Sequence, residues 1–194
     1  MQTALNSYFD DVIQTIGKMP IATIEKIVTA LREAYESSRM IYLFGNGGSA
    51  ALASHFACDL GKGASNGSSK RFQVLAFTDN VPLMTAWAND ARYEDIFAEQ
   101  LINFVRPDDI TFAISASGKS PNVLKALKVA REAGAFTIGL TGFQGGDMQD
   151  LCDLCLTVPS DNMQIIEDLH LSVTHAVFTA LRAKISRPDD AAVA

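Results

Sequence analysis

The residues most able to do chemistry in this chain are its three histidines and the carboxylates spaced around them. His55 stands four residues before Asp59. On a helix that spacing puts an imidazole and a carboxylate on one face. Glu167, His170 and His175 fall in one long periodic segment near the end of the chain. Glu167 and His175 are eight residues apart, about 80° around a helix, so both can face one pocket. His170 points elsewhere, about 140° from His175. The segment is apolar nearly all round, so charge there is costly without partners. Taken singly, a helical histidine is more often a packed or surface residue than a ligand. Together, His55, Asp59, Glu167 and His175 offer two imidazoles and two carboxylates, a donor set that suits zinc or a similar divalent ion.

Two glycine- and serine-bearing loops could bind an anion. GNGGSA (45–50) fits the dinucleotide pattern G-x-G-x-x-G/A, follows a strand and opens a helix. The nicotinamide reading also wants an acid about 20 residues on. Asp79, the acid near the end of the next strand, comes 34 residues after Gly45. A tight turn or a sugar-phosphate turn fits better. SASGKS (115–120) contains Gly-Lys-Ser, but a P-loop would need glycine where Ala113 stands. What remains is Ser115, Ser117 and Ser120, with Pro121 next. Ser120 reads as a helix N-cap and Pro121 as the first helical residue. Hydroxyls beside free N–H groups at a helix start suit a phosphate, and a simple cap with exposed serines is the alternative.

The elements that must position these residues follow a rhythm. Residues 1–37 read as two amphipathic helices, with Leu5, Phe9, Val12, Ile13 and Ile16 on one and Ile24, Ile27, Val28, Leu31 and Tyr35 on the other. Short β runs follow at 40–44, 72–77, 110–115, 136–140 and 154–158, alternating with helical segments. The last helix runs from about 162 to 184, with Asp161 and Gln164 as a capping box. Strands alternating with helices predict an α/β fold, a five-stranded parallel doubly wound sheet flanked by helices, with an N-terminal helical pair. In strand order 2-1-3-4-5 the two loops flank the switch point where ligands bind. The chain reads as one domain, with residues 1–37 for oligomerisation, 38–186 as the α/β core and 187–194 as a frayed tail. GKGASNGSSK (61–70) reads as a mobile loop. Cys152 and Cys155 stand at the start of the fifth strand, where alternation sends their thiols to opposite faces as buried small residues.

Composition narrows the partners. Sixteen Lys+Arg against 22 Asp+Glu leave a net charge of -6, a poor match for nucleic acid. No apolar run reaches the ~18–20 residues of a membrane span. The acidic start, MQTALNSYFDDV, is unlike a signal peptide, and three cysteines make no disulfide framework. These features predict a cytoplasmic protein.

GNGGSAALASHFACDL, TDN (78–80), AND (88–90), ISASGKSPNVLKAL, LTGFQGG and IIEDLHLSVTH stand in the order found in the sugar isomerase (SIS) domain family. More closely, the chain resembles the phosphoheptose isomerases of that family, from the N-terminal helices to the last helix. The resemblance implies a flavodoxin-like sheet, a homotetramer with a helical-bundle centre, and active sites between subunits. It implies that Asn46, Gly47, Gly48, Asn89 and Asp90 line a sugar-phosphate site. Ser115, Ser117 and Ser120 would hold the phosphate, with Ala116 contributing backbone. His55 and His175 match the family's metal histidines. Asp59 takes the place of a catalytic, metal-binding glutamate, and Glu167 that of a glutamine touching metal and substrate. Asp59 is one methylene shorter than glutamate, a change in reach of about 1.5 Å.

The activity so implied is aldose–ketose isomerisation of sedoheptulose 7-phosphate to D-glycero-D-manno-heptose 7-phosphate through an enediolate, with a divalent metal, zinc by its donors. Asp59 is the expected base and His175 the expected acid, with Glu167 as the reserve base. The alternative is a non-catalytic SIS relative, either a replication-initiator binder or a sugar-phosphate sensor. The joint presence of His55, Asp59, Glu167 and His175 weighs against the first. The lack of an attached DNA-binding segment weighs against the second.

Overall fold

The computed structural model describes residues 1–63 and 70–185. Five strands, β1 (Met40–Gly45), β2 (Gln73–Ala76), β3 (Ile110–Ile114), β4 (Phe136–Thr141) and β5 (Leu154–Thr157), form one sheet in the order β2-β1-β3-β4-β5. Every pairing is parallel, as the alternating rhythm predicts. The order changes direction between β1 and β3, so the loops that follow these two strands open side by side at one end of the sheet.

Strand alternation divides the interior in two. Ile41 and Leu43 of β1, with Ile110, Phe112 and Ile114 of β3, face one core. Tyr42 and Phe44, one residue out of phase, face the other. The first core is closed by α2 (Ile21–Ser37), α3 (Gly48–Cys58) and α8 (Met163–Ile185). The second is closed by α5 (Ala98–Phe104), α6 (Pro121–Glu132) and the short α7 (Met148–Leu151). The remaining helices are α1 (Gln2–Ile16) and α4 (Val81–Asp90). A single 3₁₀ turn, Tyr93–Asp95, leads into α5.

The long α8 has the largest part in aiming the site. Ile165, Ile166, Leu169, Val173, Val177 and Leu181 are all buried on its inner side. Each such side chain contributes roughly 1.5–3 kcal/mol on burial. A helix anchored by that stripe cannot rotate, so the direction of its polar residues is set by apolar packing.

Two local expectations need correction. The side chain that caps α8 is Asn162, which accepts from the Gln164 and Ile165 amides at 3.0 and 3.4 Å, not Asp161. Residues Asp59–Gly63 form one π turn continuing α3, so the predicted loop does not begin at 61. Within the predicted connection between β4 and β5, α7 forms a single short turn, four residues being too few to show a period. The rest of that loop, 64–69, and the predicted tail lie outside the described residues. Among the described residues no helix is long and apolar enough to cross a membrane.

Candidate active site

The loop after β1 turns directly into α3, and α3 carries His55 near its end. Asp59 opens the π turn that follows. α8 packs across α3 and brings His175 to the same place. The Nε2 atoms of His55 and His175 lie 2.9 Å apart. Asp59 Oδ2 is 3.5 Å from the first and 3.9 Å from the second. A donor atom from each of these three residues falls within 4.8 Å of the other two. Asp59 Oδ2 is buried yet accepts no hydrogen bond. A carboxylate oxygen in that position is costly unless something positive meets it. Two imidazole nitrogens facing one another beside it complete a set of N and O donors suited to a divalent cation. On this geometry the residues fit such an ion.

Glu167 stands apart from the three. Its carboxylate oxygens lie beside Gly48, 3.5 and 3.6 Å from where a Cβ on that glycine would sit. It shares with His55 and His175 the wall of a cavity of about 370 Å³, bounded also by Gly48, Ser49, Leu52, Asp168 and His170. Three of the four expected metal donors therefore cluster, and the fourth faces the same space from the glycine turn.

His170 is the packed histidine that the sequence reading favours over a ligand, and it points away from the donor cluster as expected. It is 1% exposed and points at β4, where Nε2–H donates to the Thr141 carbonyl at 3.0 Å. Its Nδ1 is buried with no partner. Burial pushes the imidazole down to about 4 from the ordinary 6.5, against the raising effect of the bond to Thr141. It is a neutral structural group that also borders the cavity.

The loop after β3 makes a tight crook. Gly118 takes φ +64, and a Cβ there would stand 2.0 Å from the Gly145 carbonyl oxygen, so only glycine fits. Ser115 and Ser120 hydroxyls lie 3.1 Å apart, and Ser117 Oγ accepts from the Lys119 amide at 3.2 Å. Ser120 holds the N-cap position of α6 as predicted, but its side chain makes no capping bond. The Val123 amide bonds instead to Asn122 Oδ1 at 3.0 Å, the Leu124 amide to the Ser120 carbonyl at 3.0 Å, and the Ser120 hydroxyl stays with Ser115. Ala116 is buried, and its carbonyl already accepts from the Gly142 amide at 2.9 Å.

One side-chain pair that the sequence did not reveal ties the two loops together. Asn46 Nδ2 donates to Asn122 Oδ1 at 2.9 Å, and Asn122 Nδ2 returns the bond to Asn46 Oδ1 at 2.8 Å. Tyr93 Oη also donates to Asn46 Oδ1, at 3.0 Å. Asn122 is 1% exposed, so it acts as a fixed anchor for Asn46. An asparagine after a helix-opening proline carries no pattern that announces such a role. Gly47 and Gly48 form the turn beside this pair. Asn89 and Asp90 close α4, exposed and bonded to one another at 2.8 Å. They do not border the histidine cavity.

The N-terminal helix also reaches this region. Tyr8 of α1 donates to Asp168 Oδ2 at 2.5 Å, and that bond pushes the phenol up to about 12.

Comparison with known proteins defines the class. Residues 6–142 match the model of the SIS domain, and the chain belongs to that family. Within it, the chain is similar to phosphoheptose isomerases. That of Bradyrhizobium sp. strain ORS 278 is 37% identical over 85% of this chain and 83% of its own. That of Helicobacter hepaticus is 36% identical over 90% of both chains. A solved phosphoheptose isomerase from Francisella tularensis superposes with a TM-score of 0.86 at 30% identity, covering 94% of this chain and 98% of its own.

The buried His170 generates a pH prediction. Between pH 6.5 and about 4 the unfolded chain takes up a proton that the folded chain resists, so stability falls as pH falls through that window. The loss should reach on the order of 3 kcal/mol and level off below it. Urea unfolding at pH 7 and pH 4.5 checks this against His170→Asn, whose profile should be flatter by that amount. Parallel profiles would refute the assignment.

Proposed function

We propose that this chain isomerises sedoheptulose 7-phosphate to D-glycero-D-manno-heptose 7-phosphate. The observation that carries the reading is the meeting of His55, Asp59 and His175, the two histidines lining a cavity beside a glycine turn, in a chain similar to phosphoheptose isomerases over most of its length. His55, Asp59 and His175 would hold a divalent cation, for which zinc suits the donors, with Glu167 completing the set from the glycine side. When bound, such an ion supplies positive charge to the substrate's carbonyl and hydroxyl oxygens.

The chain's own residues account for the proton movements. Asp59 as carboxylate takes the proton from C1 of the ketose. The electron pair of that C–H bond becomes the C1–C2 double bond of an enediolate, and charge develops on O2. His175 gives a proton to O2. Return of the carbon-bound proton to C2, with O1 losing its own, completes the aldose. Glu167 faces the same cavity and is the second candidate for the carbon proton. Ser115, Ser117 and Ser120, at the start of α6, hold the remote phosphate and so orient the reacting carbons. Asn46, Gly47 and Gly48 flank the sugar, and the family resemblance adds Asn89 and Asp90 at the end of α4.

The reading extends to the assembly. Leu5, Phe9, Ile13 and Ile16 of α1 are 57, 62, 66 and 52% exposed, while Tyr8 and Val12 on the other side pack against the core. A continuous apolar stripe of that kind calls for burial against another subunit. A homotetramer that pairs these helices would also cover the half-exposed histidines. The reading carries no nucleic-acid or membrane partner and places the enzyme in the cytoplasm.

Three outcomes are expected. Asp59→Asn should lower kcat by about 10²–10⁴-fold with the fold intact, while Glu167→Gln keeps substantial activity. Metal content measured on both variants separates loss of the base from loss of the ion. A fully active Asp59→Asn beside a dead Glu167→Gln would make Glu167 the base. Second, Ser120→Ala should weaken binding of the sugar phosphate with a stability loss of only about 1 kcal/mol, from its bond to Ser115, since no cap is removed. Calorimetric titration with phosphorylated and unphosphorylated sugar reads this, and equal wild-type affinity for the two would refute a phosphate site. Third, sedimentation should give a tetramer that Phe9→Asp with Ile13→Asp breaks down. A stable wild-type monomer at micromolar concentration would overturn the assembly.

A further inference from the structure

Cys152 and Cys155 stand apart from the isomerase chemistry. The alternation argument sends their thiols to opposite faces of the sheet, and the structure corrects it. β5 begins at Leu154, so Cys152 lies before the strand and ends α7 instead. Both sulfurs lean over β4 at Gly139. A Cβ on Gly139 would stand 2.7 Å from Cys152 Sγ and 3.4 Å from Cys155 Sγ. Any larger residue at 139 would drive the sulfurs away, so the glycine makes room for two thiols at one spot. The two sulfurs are thereby brought to one spot on the same side of β4, each beside the same glycine. Both residues are half-buried, open enough for a small oxidant.

We propose that Cys152 and Cys155 form a reversible dithiol–disulfide site that accepts two electrons' worth of oxidation from a hydroperoxide. The roles follow from the surroundings of each sulfur at this spot. Cys152 beside it lowers the Cys155 thiol, with Thr157 acting in the same direction and burial against them. Cys155 beside it, together with burial, raises the Cys152 thiol. Cys155 is therefore the attacking thiolate. Its sulfur displaces hydroxide from the peroxide O–O bond, and the hydroxide leaves as water with a proton from the medium. The product is a sulfenic acid at Cys155. The Cys152 sulfur then attacks that sulfur, the S–O bond breaks, and a second water leaves with the Cys152 proton. Two thiols and one hydrogen peroxide give one disulfide and two waters. The S–S bond, ~2.05 Å long, closes across only two intervening residues. So short a ring adds little chain-entropy stabilisation, and a half-exposed bond of this kind is open to reduction by small thiols.

The test uses the whole protein and hydrogen peroxide. After brief exposure, free thiols are capped with N-ethylmaleimide and the peptides mapped by mass. The expected result is a Cys152–Cys155 peptide lighter by two hydrogens and uncapped, returned to two capped thiols by dithiothreitol. In Cys152→Ser the sulfenic acid at Cys155 should persist and be trapped by dimedone, whereas Cys155→Ser should give far less adduct at Cys152. The proposal is overturned if both thiols remain fully capped after peroxide, if Cys155 runs on to sulfinic acid in the wild type, or if the disulfide formed includes Cys58. Equal dimedone labelling of the two single variants would overturn the assignment of Cys155 as the attacking sulfur.

Discussion

A carboxylate oxygen buried without a hydrogen bond, held between two imidazoles on different helices, is the constraint on which the rest of this site depends. It exists because α8 is locked against the sheet by its apolar stripe and α3 is launched by the turn after β1. Neither helix could bring the three donors together alone. His55 and Asp59 come from one helical face and its π turn, and His175 from a segment more than a hundred residues later. π turns recur at functional sites, and this one opens at Asp59. The donor types at this point suit a cation, and positive charge placed there would stabilise a developing oxyanion.

The sheet order supplies the second half of the arrangement. With β1 and β3 adjacent at the reversal, the glycine turn and the serine loop become neighbours. The reciprocal Asn46–Asn122 pair fastens one to the other. A phosphate at one loop and reacting carbons at the other can then be held at fixed separation. Such positioning is a large part of the catalysis of any isomerase that acts on a small, flexible sugar.

Much of this was legible in the sequence, and the reasons differ from element to element. The parallel sheet follows from the β–α rhythm, because a two-residue period and a 3.6-residue period leave different marks, whereas its strand order is a tertiary fact that the rhythm leaves open. The Asp59–His55 face follows from i, i+4 spacing. The convergence of His175 with them does not follow from spacing alone, since the packing of α8 on α3 is a tertiary fact. The family resemblance supplied it. Local chemistry was read less well. Asn162 in place of Asp161 is a shift of one residue, the usual error of a cap read without backbone angles. The idle capping role of Ser120 depends on Ser115 across the loop. The meeting of Cys152 with Cys155 depends on where β5 begins, and alternation cannot locate a strand's first residue.

The central claim is that this chain moves a proton between C1 and C2 of a seven-carbon sugar phosphate by way of an enediolate. Incubating the purified protein with sedoheptulose 7-phosphate in D₂O, and reading the products by NMR, tests it most directly. A carboxylate that takes up the carbon proton exchanges it with solvent, so the account predicts an aldose heptose 7-phosphate carrying deuterium at C2. No aldose formed by the metal-loaded protein, or aldose formed with no deuterium in product or recovered ketose, would contradict it.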